Sequence, residues 1–149
     1  MINDIINGIA VKLKQTYPNV TIYTESVHQD MKEPCFFILP LEPTQSAKLP
    51  NRYWRTYQFD VHYFPKSELQ PKKEMYSVAE SLFFNLEYIF CFEKLVRGAK
   101  MRFEIVDNVL HFFVNYDMFV KQRVEPTELM RRQNLKDHLE QGYRTIITA

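Results

Sequence analysis

The sequence predicts an α+β domain in which a mostly antiparallel sheet carries two helices. Two segments place apolar residues at helical spacing, and several others alternate apolar and polar residues as half-buried strands do. Aromatic residues reach 15% while glycine is limited to 3 of 149 residues, a composition that suits a sheet-rich fold. With 46% apolar residues, the chain is long enough for one domain and short for two. We expect one domain over residues 1–124 and a C-terminal extension over residues 125–149.

Two helices account for the segments with helical spacing. The first is expected from Asn3 to Tyr17, and Pro18 ends it. The second is expected from Lys72 to Tyr88, with Pro71 near the first turn, where a missing N–H costs nothing. Each helix has one apolar stripe that can pack on a sheet. The stripe residues are Ile2, Ile5, Ile6, Ile9 and Leu13 in the first helix, and Met75, Val78, Ala79, Leu82, Phe83 and Leu86 in the second.

Three strands are predicted between the helices. Val20 to Glu25 alternates and is rich in β-branched residues, which favours a short edge strand. Cys35 to Leu41 is almost continuously apolar, which predicts a strand covered on both faces, and Pro40 should force its far end out of the ladder. Arg52 to Phe64 alternates over many residues and predicts one long antiparallel strand. The polar loop Glu42 to Asn51 before it is expected to be an exposed arm.

The clearest element is a hairpin from Lys100 to Val120. Asp107 and Asn108 tolerate positive φ, so they suit a two-residue turn, and this turn fixes the register of the strands. The register gives one apolar face, with polar side chains on the other. The expected apolar pairs are Ile105 with Leu110, Phe103 with Phe112 and Met101 with Val114. Phe90 to Val96 is expected to be a short strand that leads through the basic turn 97–100 into this hairpin.

The chain changes character after Lys121. Glu125 to Ala149 is polar, and weak helical periodicity through Leu129, Leu135 and Leu139 predicts at most a helix from Thr127 to Glu140. We expect this extension to contribute little to the core.

Composition and charge exclude several classes of function. With 19 basic and 18 acidic residues, the chain has no overall field that would attract nucleic acid or an anionic membrane. The glycines fit neither nucleotide-binding glycine pattern, so no cofactor is expected. Cys35 and Cys91 lie in apolar surroundings and are interpreted as reduced core thiols. The chain opens without a leader pattern, and no apolar run could span a bilayer, so we expect a cytosolic protein.

The closest pattern to a catalytic or metal site lies on the non-core face of the predicted strands. Asp60 and His62 share a face of one strand, and Glu104 lies opposite His111 across the hairpin. Alternating polar residues are also what a solvated or subunit-contacting surface requires, and we prefer that interpretation. No catalytic or metal-binding residue is assigned, and an enzyme is not expected.

Aromatic and basic residues lie close together in the sequence at several places. Trp54, Phe64, Phe113 and Phe119 fall on one predicted face, near Arg52, Arg55, Lys100 and Arg102. Such a face could stack nucleic-acid bases, but the neutral charge balance argues against this. A second buried layer or a subunit interface fits better, since aromatic residues and arginine are enriched at interfaces.

Extended stretches of the chain resemble the tail terminator family of phages and prophages of Gram-positive bacteria, of the contractile-tail type. The resemblance covers about Met1 to Val120 and rests on the segments MINDIINGIAVKL, EPCFFI, NRYWRTYQFDVHYFP, VAESLFFNLE and LVRGAKMRFEIVDNVLHFFVNYD. It implies a structural protein, not an enzyme. Members of this family form a ring, typically of six subunits, on the head-proximal end of the tail tube. The ring stops tube growth and gives the neck a docking surface.

The resemblance implies several partners: copies of the chain, the tail tube protein, possibly the sheath, the neck protein, and DNA only as cargo passing through the lumen. It implies assembly in the host cytoplasm and then a place in the virion. Three contact regions with a neighbour, the tube or the neck are expected. Their residues are Arg52, Trp54 and Arg55 in the arm, Arg97 and Lys100 in the basic turn, and Arg131 and Arg132 in the extension.

Two alternatives stay open. The first is a head–tail joining or tail completion protein, which would bind the neck side and leave tail length unregulated. The second is a small cytosolic enzyme or ligand-binding domain that uses the face of Asp60 and His62.

Overall fold

The structure is a computed structural model that describes residues 1–25, 30–124 and 143–148. Within these ranges it contains two helices and eleven strands, so the predicted α+β class is confirmed. The elements are α1 (Ile2–Thr16), β1 (Thr21–Tyr23), β2 (Cys35–Pro40), β3 (Thr44–Leu49), β4 (Arg52–Thr56), β5 (Gln58–Phe64), α2 (Pro71–Asn85), β6 (Tyr88–Cys91), β7 (Lys94–Arg97), β8 (Ala99–Val106), β9 (Val109–Asn115), β10 (Met118–Val124) and β11 (Tyr143–Thr148).

The chain divides into two compact units. The first comprises residues 1–43 and 57–116, and the second comprises residues 44–56 and 117–149. The first unit holds both helices, a five-stranded sheet in the order β1-β2-β5-β9-β8, and the small hairpin β6-β7. The second unit holds a four-stranded sheet in the order β11-β10-β4-β3. The division into residues 1–124 and an extension stays a prediction.

One face of the five-stranded sheet forms the core of the first unit. Val61 of β5 pairs with Ile38 of β2 on one side and with Phe112 of β9 on the other, and all three side chains are buried. Because side chains alternate along a strand, the neighbours two residues away lie on the same face. Four of these neighbours are Phe36, Phe59, Leu110 and Val114, which are buried as well.

Both helices pack on this core face. Tyr17, which caps α1, contacts the ring of Phe36, and Phe83 of α2 contacts the ring of Phe112 edge-on at 5.1 Å. The predicted stripes are largely buried: Ile5, Ile9 and Leu13 in α1, and Met75, Val78, Ala79, Leu82 and Leu86 in or next to α2. Pro71 occupies the first turn of α2, as predicted.

The predicted hairpin is present as β8 and β9. Asp107 and Asn108 have φ angles of 50° and 62°, as a type I′ turn requires. Ile105 pairs with Leu110 and Phe103 with Phe112, which confirms the predicted register. The third pair is wrong, because the register shifts between Ala99 and Arg102. Lys100 has a φ of 52° at this bulge, and the extra residue displaces Met101 from regular pairing with Val114.

The predicted long strand Arg52–Phe64 is divided at Tyr57. Its first part, β4, pairs with β3 and β10, whereas its second part, β5, pairs with β2 and β9. The predicted loop 42–51 contains strand β3, which ends in a two-residue turn of Pro50 and Asn51, and Asn51 has a φ of 61°. All of β3 is exposed, as expected for the arm.

Three further expectations need correction. On the second face of β2, Cys35 is buried but Leu39 is exposed, so this face is not covered along its whole length, and Pro40 remains in the ladder opposite Phe59. The segment 88–97 forms a complete hairpin, β6-β7, instead of one strand. The predicted helix 127–140 lies outside the described residues and stays a prediction; within the same C-terminal segment, β11 pairs with β10.

Substitutions at Asn108 test the β8–β9 turn. Asn108→Val should lower the free energy of unfolding by about 1–2 kcal/mol, because a β-branched residue resists positive φ, whereas Asn108→Gly should leave it unchanged or slightly raised. Ala99→Val, at an exposed strand position of the same hairpin, is the control and should change stability by less than about 0.5 kcal/mol. Urea unfolding measures all three variants, and equal losses in the two valine variants would contradict the proposed turn.

Candidate interaction surfaces

A partly exposed aromatic pair lies on one face of the four-stranded sheet. Trp54 of β4 is directly opposite Phe119 of β10, and their rings meet edge-on with centroids 4.7 Å apart. Phe119 remains 46% exposed. Arg52 and Lys121 lie on the same face, because each is two residues from one of the aromatic residues along its strand. The face therefore combines exposed apolar surface with positive charge.

A shallow groove of about 520 Å³ opens beside this pair. We call it the basic groove, and its lining residues are Lys48, Leu49, Arg52, Phe119, Val120 and Lys121. Three of the six are cationic and none is acidic. Leu49 is 60% exposed, so the apolar part of the groove is accessible to a partner.

Two of the cations lie directly opposite each other. Arg52 of β4 pairs in register with Lys121 of β10, and both are exposed. Like charges at directly opposite positions destabilise an antiparallel pair. The arrangement is therefore unfavourable in the isolated sheet and becomes favourable when an anionic group binds between them.

Arg55 does not join this face. It is three residues from Arg52, so it points to the opposite side of β4, where its Nε donates a hydrogen bond to Oε1 of Gln45 at 2.6 Å. The sequence grouped Arg52, Trp54 and Arg55 in one arm, and the structure separates them onto two faces of the same strand.

The basic turn 97–100 packs closely on neighbouring residues of the first unit. A Cβ on Gly98 would come within 2.7 Å of the Leu86 carbonyl oxygen and 2.9 Å of Val114 Cγ2, and its N–H donates to the Glu87 carbonyl at 2.6 Å. Arg97 forms an exposed ion pair with Glu87 at 3.3 Å and lies over the ring of Tyr88. Lys100 is exposed at the bulge. Of the two cations predicted for this turn, Arg97 already has an acidic partner, Glu87, within the subunit.

Arg131 and Arg132 lie outside the described residues.

The aromatic face predicted from the sequence is divided between the two sheets. Phe64 and Phe113 belong to the five-stranded sheet, whereas Trp54 and Phe119 belong to the four-stranded sheet. Phe113 is buried beneath the guanidinium of Arg102, whose Cζ lies 4.0 Å from the ring centroid. These four aromatic residues do not form one stacking surface within a unit.

The second face of the five-stranded sheet brings together Asp60, His62 and His111. Oδ2 of Asp60 is 2.9 Å from Nε2 of His62 and 3.0 Å from Nδ1 of His111. The two histidines are cross-strand partners in register, with ring centroids 4.4 Å apart. The sequence identified Asp60 with His62 but paired His111 with Glu104. Glu104 is indeed its neighbour in register on β8, whereas the side-chain contact of His111 is with Asp60 on β5. The sequence did not show that β5 pairs with β9, and this pairing is what brings His111 to Asp60.

Both cysteines are free and buried, as the sequence predicted. Burial, reinforced by the charge of Glu33, raises the pKa of the Cys35 thiol to about 11. Burial also raises the pKa of Cys91 to about 11, with a smaller contribution from Asp4. The thiols therefore stay protonated at neutral pH and are poor nucleophiles and poor metal ligands.

Comparison with known proteins identifies a structural protein of phage tails. The model of the phage tail terminator protein family matches residues 4–128, which is most of the chain. The chain therefore belongs to the phage tail terminator family, which is not a family of enzymes, and its place is in the virion. No curated protein matches the sequence. Among the described residues, no helix is long and apolar enough to cross a bilayer.

The thiol pKa values predict a loss of stability in alkali. The folded state keeps both thiol protons up to about pH 11, whereas the unfolded state releases them near pH 9.0. Their stabilising effect is therefore complete below pH 9.0 and disappears as the pH rises through 11. Thermal unfolding between pH 8 and pH 11 measures this loss.

The control is Cys35→Ala with Cys91→Ala. This variant should be less stable at pH 8 because of the lost packing, but its melting temperature should fall less steeply with pH. Some slope will remain, since burial also raises the pKa of Tyr63 and of Tyr116. Parallel curves for the two proteins would show that the thiols do not contribute.

Proposed function

We propose that this protein forms a ring, of six subunits, that caps the head-proximal end of a contractile phage tail tube. The ring stops the growth of tube and sheath and offers the neck a docking surface. The subunits are made in the host cytoplasm and join the particle during assembly. Membership of the tail terminator family supports this function, and the basic groove supports a subunit that is completed by its partners.

The groove carries the structural part of the argument. Leu49 and Phe119 expose apolar surface at the same place where Arg52 and Lys121 face each other. Apolar patches bordered by charged residues mark protein contact sites, and a pair of like charges is neutralised by an acidic partner. The partner surface should therefore be apolar at its centre and acidic at its rim.

A second copy of the chain offers an acidic surface that also contains apolar residues. A cleft in the first unit is lined by three acidic residues, Glu33, Glu68 and Asp107, together with the apolar residues Phe64, Pro65 and Val109. Lys66 also lines the cleft and leaves it with a net negative charge. Different patches on the two sides of a contact make a head-to-tail interface, and such an interface forms a ring when the rotation from one subunit to the next closes. We therefore place the acidic cleft of one subunit against the basic groove of the next.

The other two predicted regions have separate roles in this proposal. Arg97 and Lys100 face the tube rim or the lumen, where positive charge acts on passing DNA without reading its sequence. Arg131 and Arg132 contact a neighbouring subunit or the neck. Deletion of residues 126–149 is a poor test of that last contact, because it would also remove β11 and expose the edge of β10.

The mass of the purified full-length protein, measured by light scattering with and without purified tail-tube protein, tests the proposed function. We expect a hexamer, or a smaller species that forms a ring on tube ends, and we expect tubes to stop growing when the protein is present. A ring that binds neck proteins but leaves tube length unregulated would favour the joining-protein alternative. A monomer or dimer that is indifferent to tubes would contradict both functions.

Charge reversal tests the subunit contact. Arg52→Glu with Lys121→Glu should abolish ring formation, because the groove would then repel the acidic cleft. Glu33→Lys with Glu68→Lys should do the same from the other side. Combining all four substitutions should restore at least part of the ring, since the charges are exchanged and not lost. Size-exclusion chromatography with light scattering measures each variant.

Lys72→Glu with Lys73→Glu is the matched control. It reverses two exposed lysines at the start of α2, where acidic residues are tolerated, and should leave the ring intact. Loss of the ring in this control as well, or failure of the combined variant to recover when both double variants remain folded, would contradict the proposed pairing of groove and cleft.

A further inference from the structure

We propose that Asp60, His62 and His111 form a binding site for a divalent metal ion of the Zn²⁺ class, which links the central strands β5 and β9. Each residue offers one ligand atom, and the three atoms all lie within 4.8 Å of one another. This site is independent of the ring proposal, because it uses neither the basic groove nor the acidic cleft.

The first argument is the position of the three side chains. Asp60 and His62 are two residues apart on β5 and therefore project from the same face. His111 is the in-register partner of His62 on β9. The backbone ladder of two central strands thus fixes all three ligands, and the preorganised site needs little ordering when the metal binds.

The second argument is the unsatisfied chemistry at the site. The Asp60 side chain is only 9% exposed, and its Oδ1 is buried without a hydrogen-bond partner among the described residues. Nε2 of His62 is close to Oδ2 of Asp60, but it is also buried without a well-aligned hydrogen bond. Buried polar atoms are normally paired, so two orphaned atoms at one place indicate a missing partner.

The third argument is charge. The ionic partners of Asp60 among the described residues are the two histidines, since the guanidinium of Arg102 lies over Phe113. Neutral imidazoles, the form that binds metals, would leave the buried carboxylate uncompensated, which is costly. A divalent cation supplies the missing positive charge and accepts electron pairs from both rings and from the carboxylate.

The ligand set selects the class of metal. Two imidazole nitrogens and one carboxylate oxygen suit Zn²⁺, Ni²⁺, Co²⁺ or Fe²⁺ better than Mg²⁺ or Ca²⁺, which prefer oxygen ligands. Ligands at about 2.0–2.2 Å from Zn²⁺ are roughly 3.3–3.6 Å apart in a tetrahedral site. The observed separations of 2.9 and 3.0 Å between Asp60 and the two histidines need to widen by about 0.3–0.7 Å, and the separation between the two histidine ligand atoms, at most 4.8 Å, needs to close to the same range. The side chains of His62 and His111 are 21% and 22% exposed, so both rings reach the solvent.

Calorimetric titration of the chelator-treated full-length protein with ZnCl₂ tests the site. We expect one equivalent to bind and the melting temperature to rise by roughly 5–10 °C at 100 times the dissociation constant. Asp60→Asn, His62→Gln and His111→Gln keep the approximate shape of each side chain, and each should weaken binding at least about tenfold. The control, His28→Gln with His138→Gln, removes the other two histidines of the chain and should bind as the unmodified protein does.

A second measurement does not depend on the folding of any variant. Modification of the protein without substitutions by diethyl pyrocarbonate, followed by mass spectrometry, should show that Zn²⁺ protects His62 and His111 but does not change the extent of modification at His28 and His138. Stoichiometric binding with this protection pattern supports the site. Absence of stoichiometric binding, or binding that the His28 and His138 control abolishes, would overturn it.

Discussion

The pairing of β5 with β9 is the constraint on which the first unit depends. Because side chains alternate along a strand, this single register builds two different surfaces. On one face it places Val61 against Phe112 in the dry core beneath the helices. On the other face it places His62 against His111 and brings both to Asp60. A shift of one residue would exchange the faces, bury the histidines under the helices and expose the phenylalanine. The core therefore fixes the polar cluster, and the cluster needs no loop to position it.

Local sequence rules predicted the elements whose signals are local. The helical stripes identify α1 and α2, and Asp107 with Asn108 identifies a turn because both tolerate positive φ. The same rules missed the turn between β6 and β7, where Phe92 and Glu93 adopt φ angles of 56° and 60° although neither is a typical turn residue. There the pairing of the two short strands dictates the backbone, which propensity alone cannot reveal.

Strand partners were the part that the sequence could not provide. Alternation covers most of Arg52 to Phe64, with Trp54 and Arg55 as exceptions, yet the chain changes sheets at Tyr57, because alternation reports which face is covered and not which strand lies alongside. For the same reason the sequence could not show that Trp54 meets Phe119, that Arg52 faces Lys121, or that His111 reaches Asp60. The sequence therefore named some residues of the candidate surfaces, whereas their grouping required the register of two strand pairs, β4 with β10 and β5 with β9.

The basic groove and the Asp60 cluster carry uncompensated charge of opposite sign, and this difference suits them to different partners. At the basic groove, exposed positive charges repel one another beside exposed apolar surface, and a large acidic and apolar partner relieves both costs at once. At Asp60, one negative charge is enclosed within a sheet face and has room only for a small partner held by three atoms. Oδ1 of Asp60 is buried and therefore not available to a protein surface, and a single metal ion cannot cover the exposed Leu49 and Phe119. The groove is therefore suited to assembly, and the cluster to strengthening the subunit that assembles.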